Sequence, residues 1–134
     1  MIKGLWNYGI KVGDMKAAAA FYTGVMGGIS RAAGSVLGCQ YELIRLGDTR
    51  LLLLDRAPYE ELLGLDLPLG FLHVVYEVDD FEATVETLRR VNVNFIMEPQ
   101  TLDTDFGIRK IAFFEAPDGI RTEVMEVVED AGNS

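Results

Sequence analysis

The 134-residue chain holds one cysteine, one histidine, one tryptophan and four prolines. With a single thiol, Cys39 forms no internal disulfide and has no partner at metal-ligand spacing. It reads as a buried, inert side chain. Basic residues are also scarce, 12 Lys and Arg against 21 Asp and Glu, for a formal net charge of -9. That field repels nucleic-acid backbones and anionic membrane surfaces, so neither is an expected partner. No apolar run reaches the ~18 residues that would mark a transmembrane helix. The opening Met1-Ile2-Lys3-Gly4 lacks the hydrophobic region of a signal peptide, so the chain reads as cytoplasmic.

What is present is the composition of one globular domain, 49% hydrophobic and 25% charged. The charge is uneven. Residues 1–66 carry seven acidic and seven basic side chains, whereas 67–134 carry fourteen acidic and five basic, so the excess lies wholly in the second half.

An internal repeat organises the chain. Asn7-Tyr8-Gly9-Ile10-Lys11-Val12-Gly13-Asp14-Met15 and His73-Val74-Val75-Tyr76-Glu77-Val78-Asp79-Asp80-Phe81 align at a separation of 66 residues. Each copy alternates, with Tyr8, Ile10 and Val12 on one face and Val74, Tyr76 and Val78 on its equivalent, which predicts a half-buried strand. Asp14 and Asp80 follow at N-cap positions, where a carboxylate accepts from the free amides of a first helical turn. Apolar residues then recur at helical spacing, from Met15 to Met26 before Gly27-Gly28, and through Phe81, Val85, Leu88 and Val91.

Further strands are predicted over 40–46, 50–55, 108–115 and 121–128, with turns at Gly47-Asp48 and Asp118-Gly119 and weaker strand signals over 28–32 and 94–98. The segment 103–107 reads as a loop. The pattern is strand, helix, strand, strand, strand, twice. Unit 1 spans about 5–55, a linker 56–70 with one helical turn near 59–63, unit 2 about 71–129, and a short tail 130–134, all in one domain over 1–134.

Three pieces together carry a family resemblance: Asp14-Met15 through Phe21-Tyr22 to Met26-Gly27, the strand His73 to Asp80, and Phe113-Phe114-Glu115-Ala116-Pro117-Asp118-Gly119-Ile120-Arg121-Thr122-Glu123. In order and spacing the chain resembles the vicinal oxygen chelate superfamily of glyoxalase I, bleomycin-resistance proteins, methylmalonyl-CoA epimerases and extradiol dioxygenases. The resemblance implies an α+β fold, two βαβββ units forming a half-open mixed β-sheet cup with the helices outside, and a homodimer. It also implies a divalent Fe, Mn, Ni, Co or Zn ion at the bottom of the cup, held by His on the first strand of each unit and Glu or Gln on the fourth. Open coordination positions would then take two adjacent substrate oxygens.

His73 and Glu123 fall on the second unit's catalytic and metal-ligand positions, whereas Asn7 and Leu52 occupy the equivalent places of the first. Two ligands rarely outcompete an ion's hydration shell. Alternation places Asn7, Gly9, Lys11, Leu52, Leu54, His73, Val75, Glu77, Glu123 and Met125 on the cup side. Leu52, Leu54, Val75 and Met125 would form an apolar lining, with Asn7, Lys11, Glu77 and Arg109 as further ligand contacts. Lys11 and Glu77, equivalent in the repeat, are expected to pair across the cup, and Trp6, Tyr41 and Tyr59 to supply aromatic walls or core.

The leading expectation is a protein that binds a small organic molecule, a hydrophobic or oxygenated metabolite, over a degenerate metal site, with metal-free acid–base chemistry from His73 and Glu123. Two alternatives stay open. One is a divalent-metal lyase, isomerase or dioxygenase using the same two residues; the other is a non-catalytic dimeric interaction domain.

Overall fold

Alternating apolar residues take eight segments into strands: β1 (Ile2–Lys11), β2 (Ile29–Val36), β3 (Cys39–Leu46), β4 (Thr49–Leu54), β5 (Gly70–Val78), β6 (Asn94–Thr104), β7 (Gly107–Ala116) and β8 (Ile120–Asp130). The computed structural model describes residues 1–134. One mixed sheet contains all eight strands in the order β2-β3-β4-β1-β5-β8-β7-β6. Within each unit the first and last strands run parallel, β1 beside β4 and β5 beside β8. The two units join where β1 meets β5 antiparallel.

The repeat is visible in that seam as a pseudo-twofold axis. Asn7 lies opposite Val75 and Gly9 opposite His73, which are the two pairs that a 66-residue offset exchanges. Gly9 pairs with Leu52 on β4, and Val75 with Glu123 on β8. Leu52 and Glu123 are therefore equivalent, as are Asn7 and His73.

Helix α1 (Met15–Ala20) begins at Asp14, whose Oδ1 accepts from the Ala17 amide at 3.0 Å, and α3 (Phe81–Arg90) begins at Asp80, capping the Ala83 amide at 3.0 Å. A short α2 (Glu60–Leu63) lies in the linker. The helix expected up to Met26 changes character after Ala20: residues Phe21–Val25 form a π-turn in which the Met26 amide reaches back to Phe21 O. Thr23 and Gly24 are poor helix formers, and the Thr23 hydroxyl donates to Ala19 O at 2.7 Å. The 103–107 segment is also tighter than a loop, since β6 continues to Thr104 and only Asp105-Phe106 turn into β7. No helix is long and apolar enough to cross a membrane.

Three apolar layers result. On the outer face α1 covers Ile44, Leu51 and Leu53, and α3 covers Val78, Ala112, Phe114 and Val124. The largest cluster lies inside the curl of the sheet, around Trp6, Tyr41, Leu43, Leu54, Tyr59, Phe106, Phe113 and Met125. The two outer hairpins meet across its mouth: Tyr41 OH donates to Asp105 Oδ2 at 3.0 Å, and the Tyr41 and Phe106 rings pack edge to face at 5.8 Å.

Gly107 fixes that closure. Its φ of 122° lies outside the range of L side chains, and a Cβ there would overlap Glu129 O and the Arg109 guanidinium. Replacing it with alanine should cost more than ~3 kcal/mol, combining backbone strain with a steric clash. Urea unfolding of Gly107→Ala would measure the loss; an unchanged midpoint would contradict the assigned backbone geometry.

Candidate functional site

The inner face of the seam is where polar residues interrupt the apolar core. β5 presents His73 and Val75, β8 presents Glu123 and Met125, β1 presents Asn7, and β4 presents Leu52 and Leu54. All seven line one partly open cavity of about 50 Å³, with Arg109 from β7 and apolar residues from the mouth hairpins, Val36, Leu37, Leu102 and Phe106. A volume of this size holds a few water molecules, since one needs ~10–15 Å³. Drug-sized ligand pockets start near ~300 Å³, so this one takes a compact ligand or opens at the hairpins.

His73 is 1% exposed. Its Nε2 lies 3.8 Å from Glu123 Oε1, beyond a hydrogen bond. On the other side of the ring, Nδ1 lies 3.1 Å from Tyr59 OH, and the same hydroxyl is 3.3 Å from Leu72 O. The Phe113 ring stands edge-on to the imidazole at 5.0 Å. Gly9 makes room for all this, since a Cβ there would sit 3.1 Å from His73 Nε2. When the Tyr59 hydroxyl points to Leu72 O it accepts from Nδ1–H, and Nε2 is left with a lone pair facing Glu123.

Burial governs the charges. Desolvation pulls His73 down from its ordinary 6.5 to about 3, with the positive charge of Arg121 adding to the effect. Desolvation pushes Glu123 up from 4.5 to about 8. Both groups are thus neutral at pH 7. Desolvation likewise holds the Tyr59 phenol up at about 12 and the Cys39 thiol at about 11, the latter consistent with an inert thiol.

The other expected contacts divide. Arg109 lines the cavity and is fully buried, donating to Phe106 O at 3.0 Å and Glu129 O at 2.8 Å. Lys11 and Glu77 do not pair. Lys11 Nζ binds Glu60 at 3.1 Å and Asp66 at 3.1 Å, whereas Glu77 meets Lys3 at 3.4 Å. The cause is the antiparallel seam, which sets Lys11 opposite Gly70 and Glu77 opposite Gly4, at opposite ends of the cup. Neither residue lines the cavity. Tyr59 is the important contact that sequence reasoning left as wall or core. It sits in the linker, outside both strand repeats, where no periodicity points it toward His73.

A family model for the glyoxalase/bleomycin resistance protein/dioxygenase superfamily matches residues 5–124. The chain belongs to that superfamily. Solved structures share the fold across nearly the whole chain. A hypothetical protein of Bacillus halodurans C-125 superposes with a TM-score of 0.75 at 22% identity, covering 96% of this chain and 97% of its own. Streptomyces coelicolor methylmalonyl-CoA epimerase, as a single-residue variant in complex with 2-nitronate-propionyl-CoA, gives 0.77 at 19%, covering 96% and 100%. The Mycobacterium tuberculosis methylmalonyl-CoA epimerase gives 0.74 at 20%, covering 96% and 90%. No curated protein matches the chain at significance.

The superfamily's metal arrangement can be tested against these residues. The four symmetry-related positions hold Asn7, Leu52, His73 and Glu123, and no three His, Cys, Asp or Glu side chains converge anywhere in the chain. Leu52 offers no donor, and the Asn7 amide nitrogen is buried without a partner. A donor set of one imidazole and one carboxyl does not fit a tightly held divalent ion.

The His73–Glu123 pair makes stability depend on pH with a definite sign. Unfolded, the two groups lose their protons near 4.5 and 6.5; folded, near 3 and 8. Between pH 3 and 4.5 the unfolded chain binds more protons, so stability from the pair rises with pH. Between 4.5 and 6.5 both states hold one proton and the contribution is flat. From 6.5 to 8 the folded chain holds the extra proton, so stability falls. Thermal melts across this range should show the alkaline decline in the wild type and lack it in Glu123→Gln; an equal decline in both would refute the assignment.

Proposed function

We propose that this superfamily member binds a small oxygen-bearing organic molecule in the cup and moves a proton on it without a metal ion, with His73 as base and Glu123 as acid. The observation that carries the reading is an imidazole and a carboxyl buried 3.8 Å apart in one cavity, where desolvation favours the neutral form of each. Opposed acid and base groups of this kind suit enolisation next to a carbonyl.

In that reaction His73 Nε2 takes the proton from the carbon beside a substrate carbonyl, and Glu123 gives its proton to the carbonyl oxygen. The product is an enol facing imidazolium and carboxylate, which attract one another across the same short gap. Return of the His73 proton to a neighbouring carbon, with the enol proton going back to Glu123, completes an isomerisation, and return to the original carbon from D₂O-exchanged His73 gives carbon–hydrogen exchange. Tyr59 holds the imidazole through Nδ1, and Leu52, Leu54, Val75 and Met125 keep water from the enol. The similarity in fold to epimerases is compatible with this chemistry.

Carbon–hydrogen exchange tests it. Small ketones, thioesters and 2-methyl acids incubated with the protein in D₂O containing EDTA should exchange the proton beside the carbonyl. His73→Asn and Glu123→Gln should each slow that exchange by ~10²–10⁴-fold. Exchange that needs an added divalent ion would overturn the metal-free reading, and ligand binding with no exchange would leave sequestration as the function.

We also propose that the protein is a homodimer. Support comes from an apolar groove of about 470 Å³ on the outer sheet face beside α3, lined by Ile2, Val74, Tyr76, Leu88, Phe114 and Ile120 among others. Light scattering should give twice the chain mass, falling to one chain in Tyr76→Asp; a monomeric wild type would reject the dimer.

A further inference from the structure

Acidic residues outnumber basic ones 21 to 12, so an arginine of this chain has carboxylates to choose from. Arg56, Arg89, Arg90 and Arg109 each take one. Arg31, Arg45 and Arg50 make no ion pair, and their acceptors are main-chain carbonyls. Arg31 Nη2 donates to Gly132 O at 3.4 Å, Arg45 Nε to Gly47 O at 3.1 Å and Arg50 Nε to Ser134 O at 3.0 Å. These oxygens satisfy geometry and bring no negative charge.

The three side chains belong to one end of the cup. Arg45 and Arg50 stand directly opposite one another across the β3–β4 pair, where like charges repel. Leu43 and Leu52, each two residues from one of these arginines, line the cavity, so alternation puts both arginines on the inner face. The Arg50 guanidinium lies over the Trp6 ring at 3.6 Å, and that of Arg109 reaches the same ring at 5.4 Å. Trp6 is itself a wall of the cavity. Arg31 and Arg50 meet the tail at residues two apart, which brings them to one rim. Burial and then the charge of Arg45 hold Arg50 below its ordinary value. Arg45 and Arg50 are half-buried and Arg31 is exposed, so the group is open to a ligand from solvent.

We propose that this end of the cup is a phosphate site formed by Arg31, Arg45 and Arg50, with Trp6 beside it as a flat wall leading to the cavity. Guanidinium groups present paired N–H donors that match phosphate oxygens, and three positive charges balance a dianion. A bound phosphate would replace the neutral carbonyls of the tail with charged acceptors and relieve the repulsion between Arg45 and Arg50. The site goes beyond the acid–base reading and does not depend on it: proton exchange at His73 can fail with phosphate still bound, and the reverse.

The test is an NMR titration of the full chain, labelled with nitrogen-15, at pH 7 and low salt, where a phosphate monoester carries nearly two charges. The probes are inorganic phosphate, butyl phosphate and the uncharged triethyl phosphate. The two anions should saturably shift the Nε–H signals of Arg45 and Arg50 and the indole N–H of Trp6, and triethyl phosphate should not. Tighter binding of butyl phosphate identifies an organic phosphate as the ligand, tighter binding of inorganic phosphate the free ion, and either supports the site. Arg45→Gln should weaken binding by ~10-fold without lowering the melting temperature, because it also removes a like-charge pair. Arg56→Gln, which removes one charge at an arginine paired with Glu61, should leave binding unchanged. The wild-type shifts read the same contacts should the Arg45 variant misfold. No saturable shift with either anion would overturn the site, as would equal weakening in the Arg45 and Arg56 variants, which would reduce the effect to net charge.

Discussion

The antiparallel pairing of β1 with β5 is the constraint on which the remaining structure depends. It joins the two units edge to edge, so one continuous sheet curls round a single cup, and it fixes which residues look inward at the bottom. Because the seam relates the repeats by a pseudo-twofold axis, equivalent residues near the axis come together and equivalent residues far from it move apart. Gly9 and His73 are directly opposed, and the missing side chain at one is the space occupied by the ring of the other. Lys11 and Glu77, equally well matched in sequence, are carried to opposite ends.

The second governing effect is desolvation. The interior of the cup is the largest apolar cluster of the protein, and His73, Glu123, Asn7 and Arg109 are embedded in it. Removing water favours the neutral forms of the imidazole and the carboxyl, which lie 3.8 Å apart. The same burial leaves donors on Asn7 and Arg109 without acceptors. The pH dependence of stability and the unmet donors are in this sense consequences of one packing arrangement.

The linker acts through that arrangement as well. Glu60 meets the ammonium of Lys11 on β1, and the neighbouring Tyr59 reaches the imidazole. A segment that looks like a connection between units therefore forms the floor behind His73. The ion pair ties it to the first strand of the other unit, and the hydroxyl of Tyr59 holds the imidazole at Nδ1.

Much of this was legible in the residues alone. The 66-residue repeat, the Asp14 and Asp80 caps, the turns and the alternating strands determine two βαβββ units, because those signals depend on near neighbours and on period. The same alignment puts Asn7 and Leu52 beside His73 and Glu123, so the weakness of the metal-ligand set is readable before any coordinates. Only the tertiary structure decided that Tyr59 supports His73, that Lys11 pairs with Glu60 and Asp66, that Arg109 is buried, and that the hairpins close the cup to about 50 Å³. These contacts join residues far apart in the chain and owe nothing to periodicity. They follow from the curl of the sheet and the antiparallel seam, which no local pattern encodes.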